Sequence, residues 1–76
     1  MDKENVVNDY LQMIKKSWTY EKLTRKEKEN FYKCIEWAER ANGIKGNYNT
    51  RWNILHSIYH TFLIGIGYTN ENWRDQ

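Results

Sequence analysis

The chain has 76 residues, a net charge of +2, no proline and a single cysteine, with four Trp, six Tyr and two Phe. A chain of this length forms one domain, so we expect residues 1–76 to fold as a single unit. One cysteine excludes an internal disulfide and is typical of a reducing compartment, which predicts a cytoplasmic protein. The weak positive charge argues against an acidic mimic of nucleic acid.

The first predicted helix covers residues 3–17. Val6, Tyr10 and Ile14 recur every four residues, the spacing of one helical face, and polar residues lie opposite. The polar N-terminal residues lack the apolar segment of a signal peptide, and no stretch approaches the roughly 20 apolar residues of a membrane span. We therefore expect no contact with a membrane.

The second predicted helix covers residues 24–41. Thr24 and Glu27 have the spacing of a capping box at its start. Asn42-Gly43 is a stop signal, and we expect Gly43 to adopt the left-handed conformation. The buried stripe is predicted to consist of Phe31, Cys34, Ile35, Ala38 and Ala41.

The third predicted helix covers residues 50–66 and is capped by Asn49 or Thr50. Its apolar stripe is Trp52, Leu55, Tyr59, Phe62 and Ile66, which makes this helix the expected centre of the core. Trp73 lies in a polar tail, and we expect it to pack back on the body. The sequence thus predicts an all-α fold, a three-helix bundle with a packed C-terminal tail.

The third helix is too apolar for one small core to cover. A flank beside the core stripe predicts a protein interface, because contiguous exposed apolar surface marks interaction sites. The partner would be a second copy, giving a homodimer, or a foreign protein. The predicted interface residues are Ile54, His56, His60, Leu63 and Ile64.

Two histidines four residues apart, His56 and His60, could bind zinc if Cys34, Glu36 or Glu39 supplied a third ligand. The glutamate of an H-E-x-x-H motif is absent between them. Ser57 neighbours both histidines, but no oxyanion donors or strained turn accompany it. We therefore expect no metal, no cofactor and no catalytic residues, and so a protein that is not an enzyme.

Residues 15–33 carry seven basic and three acidic side chains, with aromatic residues between them. Clustered Lys and Arg are typical of surfaces that contact phosphates, so a nucleic-acid-binding regulator is the alternative hypothesis. The predicted contacts in this case are Lys15, Lys16, Trp18, Lys22, Arg25, Lys26, Lys28 and Lys33.

The C-terminal half, especially R-W-N-I-L-H-S-I-Y-H-T-F-L-I-G-I-G-Y-T-N-E-N-W-R (Arg51–Arg74), resembles small open reading frames of Gram-positive phages and mobile elements. The resemblance rests on short length, Lys/Asn richness, lack of proline and aromatic helices, and it transfers no site residues. It implies a small protein that binds and inhibits or modulates a host protein, such as a defence or regulatory factor.

Overall fold

The structure is a computed structural model that describes residues 5–69, 71 and 73–75. Within these residues the chain forms α1 (Val6–Ile14), α2 (Trp18–Glu21), α3 (Arg25–Arg40), α4 (Tyr48–Gly65) and a 3₁₀ turn (Trp73–Asp75), with no strand. The predicted all-α class is confirmed. The predicted number of helices is wrong, because Trp18–Glu21, which lies between the first two predicted helices, forms a short helix capped by the Ser17 hydroxyl. The predicted start of the first helix, at Lys3, lies outside the described residues.

The helix starts follow the local sequence. Thr24 and Glu27 form the predicted capping box, in which each side chain accepts a hydrogen bond from the other residue's backbone N–H. The predicted cap of α4 is wrong: Asn47 is the N-cap, and its side chain accepts from the Thr50 N–H at 2.8 Å. Asn47 and Asn49 offer the same capping chemistry, and the earlier of the two caps α4.

The end of α3 also differs from the prediction. Asn42, not Gly43, has the positive φ, at 63°. The Gly43 N–H donates to the Ala38 carbonyl at 2.8 Å and the Asn42 N–H to the Glu39 carbonyl at 3.0 Å, which is a Schellman motif with Asn at its left-handed position. A Cβ at Gly43 would lie 3.3 Å from the Ala38 carbonyl oxygen. Glycine at this position therefore lets the backbone of residue 43 lie close to the last turn of α3.

The core is built around α4, which packs against both α1 and α3. Tyr10 of α1 is fully buried and meets Trp52 edge-on, with ring centroids 5.1 Å apart. Phe31 of α3 is fully buried and meets Tyr59 in the same way at 5.1 Å. Aromatic rings thus join each outer helix to the central one, as edge-to-face packing favours.

The C-terminal turn closes the end of the molecule near α2. Trp73 is 4% exposed and lies 5.1 Å from the Tyr68 ring and 6.3 Å from the Trp18 ring. Its predicted packing on the body is confirmed. Arg74 donates to the Lys22 carbonyl at 3.0 Å and to the Glu27 carboxylate, so the turn is tied to the start of α3.

Candidate functional site

An apolar groove of about 710 Å³ runs between α3 and α4. α3 ends at Arg40 and α4 begins at Tyr48, and this short connection makes the two helices antiparallel neighbours, with Phe31 in contact with Phe62 between them. Its lining is mostly apolar or small, with one charged residue. The lining residues are Lys33, Cys34, Trp37 and Ala38 from α3, and Ile54, Ser57, Ile58, Thr61 and Phe62 from α4.

Trp37 is the outstanding residue of this groove. Its side chain is 72% exposed, the most exposed large apolar residue of the described chain, although it lies within the last turn of a regular helix. A tryptophan presents a large apolar area together with an N–H donor, and residues of this type dominate binding energy at protein interfaces. Trp37 lies outside the buried stripe predicted for this helix and is not among the predicted site residues.

The floor of the groove is continuous with the core. Ile54, Ile58 and Phe62 are half-buried, and the Phe62 ring lies 5.5 Å from that of Phe31. This backing holds the floor in place, so the apolar surface exists without rearrangement of the helices. A preformed apolar cleft with few polar groups is typical of a binding site.

The structure separates the predicted interface residues of α4. Ile54 lines the groove, whereas His56, His60 and Ile64 lie on a different flank and do not line it. Leu63 is 6% exposed and belongs to the core, so the expectation that it lies on an open flank is wrong. Its position, four residues after Tyr59 and eight after Leu55, continues the buried stripe.

The flank that contains the histidines has its own apolar residue, Ile64, which is 59% exposed. His56 is engaged within the fold, since its Nδ1 lies 3.2 Å from the Tyr10 hydroxyl. His60 is exposed. This flank offers one exposed apolar side chain, whereas the groove offers a continuous apolar lining.

Cys34 is exposed and lines the groove, so its predicted place in the core is wrong. Ala41, also predicted buried, is exposed as well. The side of α3 that carries Cys34 is left uncovered because the buried side is centred on Phe31 and Ile35.

Ser57 and the two histidines of α4 are the residues that the sequence offers for catalysis or metal binding. No hydrogen bond within the described part joins Ser57 to His60 or to His56. Among the described residues no three His, Cys, Asp or Glu side chains lie close enough together to hold a metal ion. Cys34, Glu36 and Glu39 therefore do not complete a site with the two histidines.

The eight residues of the predicted nucleic-acid surface extend from the end of α1 through α2 to α3. Lys28 lies over the Tyr20 ring at 5.1 Å, in a cation–π contact within the fold. Lys33 lies at the groove, while Lys15 and Lys16 follow the end of α1. Trp18 is 44% exposed but packs against Trp73.

None of the described helices is long and apolar enough to cross a membrane. In comparisons with protein-family models, with curated proteins and with solved structures, nothing matches this chain.

Proposed function

We propose that this protein is a non-enzymatic binding module whose α3–α4 groove receives an apolar segment of another protein. The single observation that carries the proposal is the exposed Trp37 beside a preformed apolar groove. Exposed contiguous apolar surface in a small domain costs solubility and is typical of an interaction site. Following the resemblance to small phage and mobile-element proteins, we take the partner to be a cytoplasmic host protein that the module inhibits or modulates.

The arrangement of α1, α3 and α4 supports this proposal. We interpret these helices, with the C-terminal turn packed at one end, as a three-helix bundle in which the fourth position of a helical bundle is open. That position is the groove, bordered by α3 and α4. A segment placed there would gain contacts with two helices at once, as helix-in-groove recognition requires.

The chemistry of the lining supports binding rather than reaction. Its potential nucleophiles are the Cys34 thiol and the Ser57 and Thr61 hydroxyls. A nucleophile needs a base within hydrogen-bond reach and a partner that orients the base, and the described hydrogen bonds supply neither here. Apolar side chains dominate the remaining surface.

The test is affinity capture from cells of the natural source with the wild-type protein and three variants. Trp37→Ala removes the exposed anchor, and Thr61→Arg fills the groove from an exposed position. Ile64→Ala is the matched control, because it removes an exposed apolar side chain from the other flank of α4. We expect a protein that is captured by the wild type and Ile64→Ala and is lost with Trp37→Ala and Thr61→Arg.

A partner that is lost with Ile64→Ala and kept by both groove variants would contradict the proposal and would restore the histidine flank as the interface. Capture of nucleic acid alone, insensitive to the groove variants and steep in salt, would favour the alternative hypothesis of a nucleic-acid-binding regulator.

A further inference from the structure

A row of basic side chains runs along α3 and reaches the groove at Lys33. Lys26, Lys33 and Arg40 are spaced by seven residues, two helical turns, so they follow one line along the helix surface. All three are exposed, and Lys33 itself lines the groove. No ion pair or hydrogen bond joins any of these three side chains to another described residue. We call them the basic row.

The opposite wall has no negative charge to balance the basic row. Helix α4 contains no Asp or Glu from Tyr48 to Gly65, and its formal charge comes from Arg51. On α3, Glu27 is held by Arg74 in a salt bridge at 2.6 Å. Glu29 and Glu36 lie four residues before Lys33 and Arg40, on the side of the basic row that faces away from Trp37, and among the described residues no ion pair joins them to the row.

The charge of the groove decides between a second copy and a foreign partner. A second copy would bring its own α3 or α4 against this groove. A second copy's α4 would bring no carboxylate to the basic row. Its α3 would bring its own basic row, with Glu29 and Glu36 on the side of that row that faces away from the groove. Like charges placed across an interface oppose association, so self-association through the groove is disfavoured.

We propose that the occupant of the groove is an acidic amphipathic helix of a foreign protein, an inference that rests on the proposed function and names its partner class. The apolar stripe of that helix lies between Trp37 and the Ile54–Ile58 side of the groove, and Asp or Glu residues on one flank meet the basic row. Two antiparallel helices present a groove along their length, and ridge-into-groove packing suits a third helix there. Seven residues of helix rise about 10 Å, so carboxylates spaced by one heptad match the row.

The test uses a displayed library of 18-residue amphipathic helical peptides, selected on the full chain. The apolar stripe is held constant, and the flanking positions are randomised among Glu, Lys, Gln and Ser. Binders are retained only when Thr61→Arg abolishes their binding, so every scored peptide depends on the groove. A second selection uses the Lys26→Glu/Lys33→Glu/Arg40→Glu variant, whose changes are all at exposed positions.

We expect Glu to be enriched on one flank in the first selection and Lys to replace it in the second. Affinity for the best Glu-rich peptide should fall with added salt, since the contacts are exposed charges. Groove-dependent peptides with no charge preference, or with Lys preferred by the wild type, would overturn the acidic partner and leave the proposed function standing. A selection without any groove-dependent binder would contradict both the acidic partner helix and the proposed binding function of the groove.

Discussion

Arg74 donates two hydrogen bonds to the Glu27 carboxylate, at 2.6 and 2.7 Å, and so joins the C-terminal turn to the first turn of α3. The same carboxylate accepts from the Thr24 N–H at 2.9 Å, so one side chain serves both the capping box and the closure of the tail. Arg74 also lies over the Trp73 ring at 4.9 Å. The residue adopts φ 50°, a conformation that a non-glycine residue keeps only when its surroundings hold it.

This pair predicts a loss of stability in acid. The pKa of Glu27 is lowered to about 2, chiefly by the hydrogen bonds from Arg74. Burial acts in the opposite direction, and the hydrogen bond from the Thr24 N–H adds a smaller lowering effect. Since the folded-state pKa lies below the ordinary value of 4.5, the stabilisation is present above pH 4.5 and is lost as the pH falls toward 2. Urea unfolding across this range should show the decline.

Glu27→Gln should be less stable than the wild type at pH 7, because Gln still caps the helix but does not pair with Arg74 as an anion. Its free energy of unfolding should also fall less steeply between pH 4.5 and 2. Glu29→Gln, at an exposed position of the same helix, is the control and should keep the wild-type profile. An unchanged acid profile in Glu27→Gln would show that the Arg74–Glu27 pair contributes nothing to the folded state.

The fully buried Phe31 predicts the largest single stability loss. Its ring contacts those of Tyr59 and Phe62, so it connects α3 to α4 and to the groove floor. Phe31→Ala should cost about 3–5 kcal/mol, because truncation removes apolar contacts and leaves a cavity. Ile64→Ala, at an exposed site, should change stability by less than about 0.5 kcal/mol. Thermal unfolding followed by circular dichroism measures both, and equal effects would contradict this view of the core.

The end of α3 gives a backbone prediction. Asn42 has φ 63°, a conformation that costs most L-residues roughly 1–2 kcal/mol and costs Asn less. Asn42→Ala should therefore destabilise the protein by about 1 kcal/mol, while Asn42→Gly should not. Chemical denaturation of the two variants side by side makes the comparison. If Ala proved as stable as Gly, the left-handed assignment at Asn42 would be wrong.

Tyr10 predicts a loss of stability in base. Burial, with a smaller effect from Tyr59, raises the pKa of the Tyr10 phenol to about 12. The folded state holds this proton more tightly than the unfolded chain, so stability that is full below pH 10 is lost as the pH rises toward 12. Tyr10→Phe should reduce this alkaline loss of stability. At neutral pH the variant should be about 0.5–1.5 kcal/mol less stable than the wild type, because it lacks the hydrogen bond to His56. An alkaline profile identical to that of the wild type would exclude Tyr10 as its source.

Much of the fold follows from local sequence. The capping box at Thr24 and Glu27, the apolar stripe of α1 and the central role of α4 each depend on residues within one or two helical turns, so the sequence alone predicts them. The α4 cap is not predicted correctly, because Asn47 and Asn49 have the same capping chemistry and local sequence does not choose between them. The short helix α2 cannot be predicted from periodicity, because four residues make little more than one helical turn.

The candidate site could be predicted only in part. Helical spacing places Cys34 and Ile35 on neighbouring lines of α3, and only the tertiary packing determines that Ile35 is covered and Cys34 is open. The exposure of Trp37 has the same origin. The sequence showed that α4 has more apolar surface than its neighbours cover, but it assigned the interface to the flank of His56 and Ile64 rather than to the groove.

The central claim is that the α3–α4 groove is the surface on which the partner lies, and Cys34 permits a direct measurement because it is exposed in the groove lining. The alkylation rate of Cys34 by iodoacetamide is measured for the free protein and for its complex with the captured partner. The control is an Ile64→Cys/Cys34→Ala variant, which moves the single thiol to the other flank of α4. Since an interface core excludes solvent, we expect the complex to slow alkylation of Cys34 by at least about tenfold and to leave the thiol at position 64 unchanged. Protection at position 64 with full reactivity at Cys34 would contradict the account.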